Sequence, residues 1–519
     1  MSDNIVKNLN FGEDARVSVF KGIEKLTKAV SSTLGASGKC VILEDGSGNP
    51  MITKDGVTVA DSITLLDPVE NMGATLIKEA ARKTVTEAGD GTTTATVLAH
   101  AILEKSYQIK DKSLSYRDLK NGINSAVNKV VTYLEKNSIK VTGTMIDSVA
   151  TISTNNDAEL GRIIGDAFRS VGETGVVMME KTSLPDTVVE IVEGVQYDKG
   201  FTNSHFVTNK ESKTAELDNP LVMLVDSPIE SVRQIQSILE YVIKNNKSLL
   251  IIADMDQPVL AALAMNKTKG NIKVNVIDAP TYGINKKDTL DDLALLTGAT
   301  VINEELGDDM DLISPDFLGQ CVKSVTSSYD TIIQVNQNKE QVDELIVKIK
   351  SKLDNDNPAS EVIKLEKRLA RLSAKVAIVK VGANSDMELK EKTDRVEDAI
   401  CATKAAIKEG IVSGGGIALL NASNSVKPLS IGEEILLDAI KAPFKTILEN
   451  AGIETNIELK VKDKGLDVVT GKMVNMIKSG IIDPLLVTKS ALRNAASVAT
   501  TILSTDCVIN NLRINESNR

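Results

Sequence analysis

Apolar positions recur at three- and four-residue steps toward both ends of the chain and collapse into short runs in its middle. Val17, Phe20, Ile23, Leu26 and Val30 place one apolar face on a helix from Gly12 to about Thr33, and the glycines of Leu34-Gly35-Ala36-Ser37-Gly38-Lys39 supply a left-handed stop. Val69, Met72, Leu76 and Ala80 do the same for Pro68–Ala88, and a further helix runs from Thr93 to Lys105. Beyond about residue 410, Ile435, Leu436, Ala439, Ile440, Phe444, Ile447 and Leu448 continue an apolar helical face. In between, Val188–Val192, Leu221–Val225, Leu249–Ala253 and Ile272–Ile277 read as strands among helical runs at 229–244 and 257–268, which predicts an α/β domain. From Lys339 to Leu353 one stripe forms, Asp354-Asn355-Asp356-Asn357-Pro358 breaks it, and Val362, Leu365, Leu369 and Leu372 resume it as a helical hairpin. The organisation is nested: helical ends enclose an α/β middle.

Composition narrows the class. At 519 residues the chain exceeds what one hydrophobic core organises, so two or three domains are expected. A net charge of -11 without a concentrated basic stretch argues against nucleic acid and anionic membranes as partners. Cys40, Cys321, Cys401 and Cys507 have no close pairing, which argues against a zinc site or a disulfide scaffold and for a reducing setting. There is no basic leader before an apolar core and no run of about eighteen apolar residues, so a soluble, unexported protein is expected. Only His100 and His205 could support histidine chemistry.

Candidate chemistry concentrates at Gly89-Asp90-Gly91-Thr92-Thr93-Thr94, where two glycines, a carboxylate and three hydroxyls stand at the start of a helix. The glycines allow a tight turn, and the first N–H groups of the helix would face an anion such as phosphate. Asp90 repels phosphate itself, so its use there is to hold a magnesium ion bridging phosphate oxygens. An ordinary N-capped helix is the alternative, at about even odds, because Asp and Thr cap helices commonly. Thr53-Lys54-Asp55-Gly56-Val57-Thr58-Val59 adds an acid and a cation beside glycine, and Arg395-Val396-Glu397-Asp398-Ala399 and Gly414-Gly415-Gly416 stand far along the chain.

Taken in this order, the segments resemble the group I chaperonins, the GroEL-type family of ATP-driven folding rings, from about Asn10 to Asn510. Phe11-Gly12-Glu13-Asp14-Ala15-Arg16-Val17, Glu70-Asn71-Met72-Gly73-Ala74 and the unbroken run from Ala88 to Ala99 carry the resemblance, the last most specifically. It implies a multidomain α + α/β chaperonin fold. A mostly helical equatorial ATPase domain would take residues 1–138 and 410–519, a small intermediate domain 139–192 and 376–409, and an inserted α/β apical domain 193–375. The implied function is ATP-dependent binding and encapsulated folding of non-native polypeptides by heptameric rings in the cytoplasm of a bacterium or a virus-infected bacterial cell.

Residue by residue, the resemblance makes Asp90 the magnesium ligand and Gly91, Thr92, Thr93 and Thr94 the phosphate loop. Thr33, Leu34 and Gly35 lie beside the phosphates with Lys54, and the backbone oxygens of Thr33 and Lys54 lie near a potassium ion. Asp55 is an acid near the terminal phosphate, and Asp398 positions or deprotonates the attacking water. Gly415 and Asp483 contact the nucleoside, where the family's common Asn-Ala-Ala is replaced by Asp467, Val468 and Val469. The apical strip for clients and for a lid co-chaperonin falls on Phe201, His205, Phe206, Gln236, Leu239, Leu260, Leu263, Ala264 and Met265. Thr202, His205 and Gln236 are polar there, which bears on lid affinity as much as on client range. Gly194 and Gly410 match hinge positions, Ala374-Lys375 replaces paired glycines, and the final residues lack a Gly-Gly-Met tail. These departures mark a divergent member. They keep open a second reading, a lid-independent holding or scaffold ring with little ATP turnover; a small-molecule kinase has only the phosphate corner in its favour.

Overall fold

The computed structural model describes residues 7–511 except 45–47, 110–114, 144, 155, 173–175, 183, 198, 211, 280–283, 305–306, 309–312, 336–338, 354–364, 366–367, 370–371, 373–374 and 455–460. Its helices are α1 (Gly12–Ser31), α2 (Gly56–Ser62), α3 (Pro68–Ala88), α4 (Thr92–Tyr107), α5 (Tyr116–Lys136), α6 (Met145–Ser153), α7 (Ala158–Val171), α8 (Gln236–Lys244), α9 (Gln257–Thr268), α10 (Ile284–Thr297), α11 (Lys339–Leu353), α12 (Asp386–Glu409), α13 (Ile417–Ser425), α14 (Ile431–Ala439), α15 (Ala442–Asn450) and α16 (Leu485–Leu503). The chain divides into a helical unit (Met1–Asp166, Met179–Val188 and Val379–Arg519) and an α/β unit (Ala167–Met178 and Val189–Ile378).

The helical unit is organised around α4. This helix buries Ala95, Thr96, Val97, Leu98, Ala99, Ala101, Ile102 and Leu103, so it is apolar nearly all round and sits inside the bundle. Alanines on α16 (Ala491, Ala495, Ala496 and Ala499) share its core cluster, and such small side chains let helices approach closely. β1 (Lys7–Phe11) pairs antiparallel with a last strand (Cys507–Asn511), joining the two ends of the described chain. A hairpin of β2 (Val41–Glu44) and β3 (Pro50–Thr53) leads into α2.

In two helices the expected apolar face is only partly the buried one: Ile23, Leu26 and Val30 of α1 and Val69 and Ala80 of α3 are buried as expected, and other expected positions are not. In α1 the buried row is Ala15, Val19, Ile23, Leu26 and Val30, whereas Val17 is exposed. In α3, Met72 and Leu76 are exposed and Gly73, Ala74, Ile77 and Ala81 face the core. The reason is close packing: a side chain at Gly73 would meet the Val19 carbonyl oxygen at 2.1 Å, so the small residues mark the contact between α1 and α3. Nor does a left-handed glycine end α1; Ser32 caps it in right-handed geometry, and Gly35 (φ +84°) turns the chain three residues later. The apolar face at 435–448 is broken into α14 and α15, with Pro443 in the first turn of the second.

The strands of the α/β unit are β4 (Val176–Lys181), β5 (Val188–Tyr197), β6 (Ala215–Asp218), β7 (Leu221–Val225), β8 (Ser248–Ile252), β9 (Lys273–Ile277), β10 (Val301–Ile302), β11 (Gly319–Gln320), β12 (Lys323–Thr326), β13 (Thr331–Gln334) and β14 (Lys375–Val381), the last residues of β4 and β14 and the first of β5 lying past the unit's bounds. β10, β7, β8 and β9 form a parallel sheet in that order, with β11 antiparallel at β7. A second sheet runs β4-β14-β5-β13-β12-β6. The 229–244 run is a short 3₁₀ turn (Val232–Ile235) followed by α8 rather than one helix. α11 forms as expected; the break at 354–358, most of the returning arm of the hairpin, Ala374 and the final residues 512–519 lie outside the described residues.

The positions expected to form a client-binding strip do not make a continuous exposed surface. Phe206, Leu260, Leu263 and Ala264 are buried in the core of the α/β unit, at 0%, 4%, 1% and 3% exposure, and Phe201 and Leu239 pack partly buried against it. His205, Gln236 and Met265 are exposed. The amphipathic spacing of α9 therefore reports burial within its own unit.

Candidate functional site

α3 stops on Gly89 in left-handed geometry (φ +72°), Asp90 follows, and Gly91 (φ +87°) starts α4. No side chain caps α4, so the N-capped alternative fails and the N–H groups of its first turn lack intrahelical partners. The Asp90 carboxylate accepts from the Gly91 N–H. Each glycine is also sterically required: a side chain at Gly89 would lie 2.4 Å from Cys401 Cβ, and one at Gly91 would lie 2.6 Å from Val487 Cγ1.

The end of α1 lies alongside. Thr33 is buried, its hydroxyl donating to the Val30 carbonyl at 2.8 Å and standing 3.4 Å from the Thr93 hydroxyl. Lys54 donates to the Gly35 carbonyl at 3.3 Å, and burial lowers its proton affinity. Asp55 caps α2, accepting from Val57 N–H (3.1 Å), Thr58 N–H (2.8 Å) and the Thr58 hydroxyl (2.7 Å). A side chain at Gly56 would lie 2.3 Å from the Thr93 hydroxyl oxygen, so the starts of α2 and α4 touch.

α12 brings Asp398 to this corner. Burial, then the charges of Asp90, Asp55, Glu397 and Asp394, hold its carboxyl well above the ordinary range. Asp90 is raised by burial and by Asp55. The opposite wall comes from three strands of the helical unit: β15 (Ile411–Ser413) and β18 (Ile482–Pro484), paired antiparallel, and β16 (Lys464–Asp467), which forms a hairpin with β17 (Lys472–Asn475). Asp483 is pushed up to about 7 by burial and by Asp90, against a hydrogen bond from the Gly415 N–H. Asp467 turns back on its own hairpin, accepting from Val469 N–H at 3.0 Å and the Thr470 hydroxyl at 2.6 Å.

All of the nucleotide-site positions named from the sequence, Thr33, Leu34, Gly35, Lys54, Asp55, Asp90, Gly91, Thr92, Thr93, Thr94, Asp398, Gly415, Asp467, Val468 and Asp483, line one cleft of about 340 Å³. Its lining combines helix starts and acids with the apolar side chains of Phe444, Ile447, Leu466, Met476 and Ile481. That suits a ligand with a polyanionic end and a flat, apolar end.

Sequence reasoning missed Ser153, Asn156, Glu391 and Asp394, which also line the cleft, as does Arg395, quoted from the sequence without a role. Arg395 is held by Glu391 at 2.7 Å and by the Thr154 carbonyl at 3.4 Å, with Asp157 at 3.9 Å. Asp394 is pushed up to about 6 by burial and by Asp55. Helical spacing offered a signal, because 391, 394, 395 and 398 share one face of α12.

Among the described residues no three His, Cys, Asp or Glu side chains cluster closely enough to hold a metal by themselves. Magnesium needs no such cage, since one or two carboxylates plus substrate phosphates and water complete its shell. Burial, and then the charges of Asp55 on Asp90 and of Asp90 and Asp55 on Asp398, raise the proton affinity of both acids, a cost that a divalent cation would offset. The donor set fits magnesium.

An uncapped helix start beside clustered acids, in a helical unit interrupted by an inserted α/β unit, is the organisation that the resemblance to chaperonins leads one to expect. The chain belongs to the TCP-1/cpn60 chaperonin family, whose sequence profile matches residues 26–513. It is similar in fold to the chaperonin gp146 of the bacteriophage EL 2 of Pseudomonas aeruginosa, crystallised in the presence of ATP-BeFx. In crystal form II the TM-score is 0.72 at 21% identity, covering 99% of this chain and 100% of that one. In form I it is 0.64 at 21% identity, covering 97% and 99%. No helix among the described residues is long and apolar enough to cross a membrane.

Proposed function

We propose that this chaperonin binds and hydrolyses ATP and couples hydrolysis to the capture and encapsulated folding of non-native polypeptides. The observation that carries the reading is the convergence of Asp55, Asp90 and Asp398, from remote stretches of chain, on one cleft beside the uncapped start of α4. Thr92, Thr93 and Thr94 bind phosphate oxygens through backbone N–H groups, and the apolar wall with Asp467, Val468 and Asp483 holds the nucleoside. Asp90 would hold magnesium, which when bound neutralises phosphate charge, and the carbonyl oxygens of Thr33 and Lys54 would hold potassium. Asp398, with its raised proton affinity, orients the attacking water and takes its proton.

The three-domain division at 138/139, 192/193, 375/376 and 409/410 and a heptameric ring in a bacterial cytoplasm complete the proposal. Exposed Leu9, Phe11 and Ile509 on the strand pair at the chain ends, and Ile42 and Ile52 on the β2–β3 hairpin, support self-association. Electron microscopy of the purified protein with and without ATP tests the ring. Asp398→Ala tests the chemistry: steady phosphate release falls at least about a hundredfold while nucleotide still binds. Unchanged release rejects the assignment.

One observation favours a second reading, a holding ring that works without a lid. Four of the expected strip positions are buried, and His205 and Gln236 put polar groups on the surface. Refolding of a denatured enzyme with ATP, with and without a lid protein, separates the two. Recovery only with the lid supports encapsulation, whereas suppression of aggregation without recovery supports holding.

A further inference from the structure

Gly89 and Gly91 flank Asp90, and each is wedged against a different helix. Val487, in the first turn of α16, covers Gly91, and Cys401, one turn beyond Asp398 on α12, covers Gly89. The second contact is the tighter: a methyl group built on Gly89 would stand 2.4 Å from Cys401 Cβ and 2.7 Å from its Sγ. Around it the seam continues with Ala88 of α3, Ala405 of α12 and Val487, all buried. The same helix therefore carries the water-orienting acid and the side chain that rests on the residue before the magnesium-binding acid.

The thiol has no chemical use at this place. Burial and the charges of Glu397 and Asp398 push it up to about 12, so it stays protonated and is a neutral spacer two heavy atoms long. Its size is what the site uses. A smaller group there would let α12 settle closer to the Gly89–Asp90 corner, and a branched or longer one would hold the helix off.

We infer that Cys401 is a positioning residue: its contact with Gly89 sets how far α12 closes on the α3–α4 corner, and so fixes Asp398 relative to Asp90. This inference rests on the ATP-hydrolysis reading. Nucleotide affinity depends on the phosphate loop and the nucleoside wall, neither of which Cys401 contributes to, so its size acts on turnover and not on binding.

The test is a size series at one position, Cys401→Ser, Cys401→Val and Cys401→Leu, assayed as the full chain for steady ATP turnover and for nucleotide affinity. Serine, nearly isosteric, keeps kcat within about twofold; valine lowers it several-fold; leucine lowers it at least about tenfold. KM and nucleotide affinity stay within about threefold throughout. Should the leucine variant not fold, serine against valine decides. A kcat indifferent to size, or a loss that falls equally on affinity, overturns the inference. Absence of turnover in the unaltered protein overturns the hydrolysis reading instead, so the two failures are distinct.

Discussion

Asn450, the last residue of α15, donates both amide hydrogens to carbonyls at the end of α1, Ser31 O at 2.8 Å and Leu34 O at 2.9 Å. Ser31 O closes α1 and also accepts from the Leu34 N–H at 3.1 Å, whereas Leu34 O belongs to the turn after the helix; both are thereby tied to a segment more than 400 residues away. The same contact fixes the Thr33-Leu34-Gly35 turn that lines the cleft.

Asn450→Ala removes both bonds and leaves the Leu34 carbonyl short of a partner, while Ser31 O keeps the Leu34 N–H. A destabilisation of about 2 kcal/mol is expected. Thermal unfolding registers it as a drop of several degrees, and nucleotide titration shows affinity weakened several-fold. Unchanged affinity with a lowered Tm would mean that the turn holds its shape without this anchor.

Asp394 gives the nucleotide-free protein a pH dependence of definite sign. Its folded-state pKa, pushed up to about 6, exceeds that of an unfolded aspartate. The folded state therefore binds the proton more tightly, and stability declines as pH rises from about 4 to about 6. Asp394→Asn removes this loss, so the variant melts about 2–4 °C above the parent at pH 8 and close to it at pH 4.5. Equal melting temperatures at both pH values would show that the carboxylate is better solvated than its place in the cleft implies.

His100 works in the opposite direction. It stacks on Phe20 at 5.3 Å, its Nε2 has no partner, and burial lowers its pKa against the opposing charges of Glu104 and Glu24. Stability is complete above the unfolded value of about 6.5 and is lost as pH falls below it. His100→Phe keeps the stack, so relative to the parent it gains stability at pH 5 compared with pH 8. Chemical denaturation at the two pH values measures the difference.

In the α/β unit, burial separates two neighbouring residues that one helical pattern groups together. Leu263→Ser places a hydroxyl in the core and costs about 3–5 kcal/mol, seen as loss of thermal stability. Met265, at 58% exposure, is free to meet a partner. Met265→Ser leaves the melting temperature within about 1 °C and weakens binding of a denatured client protein. Equal client binding by the Met265 variant would move the capture surface elsewhere.

Much of the site was legible in the sequence because its parts are local. The Gly-Asp-Gly corner, the Thr-Lys-Asp-Gly turn and the glycine triplet each need particular residue types within a few positions, where backbone geometry leaves little choice. Helix existence was equally legible, since apolar spacing marks it. The orientation of those helices was legible only in part: Ile23, Leu26, Val30, Val69 and Ala80 are buried, whereas Val17, Met72 and Leu76 fit the period yet face outward, because Gly73 and the alanines permit a closer approach than large side chains do.

What the sequence by itself determined was therefore the set of turns and acids, the alternation of helical and α/β stretches and the family. Only the tertiary structure decided which charged groups meet: Asp394 and Arg395 enter the cleft because α12 is laid across the α3–α4 corner, and Cys401 matters because that crossing falls on Gly89. It also decided that Leu260, Leu263 and Ala264 belong to a core and not to a surface. The physical reason is that burial is a property of what packs against a residue, and one chain's periodicity shows only which residues share a face, never what covers it.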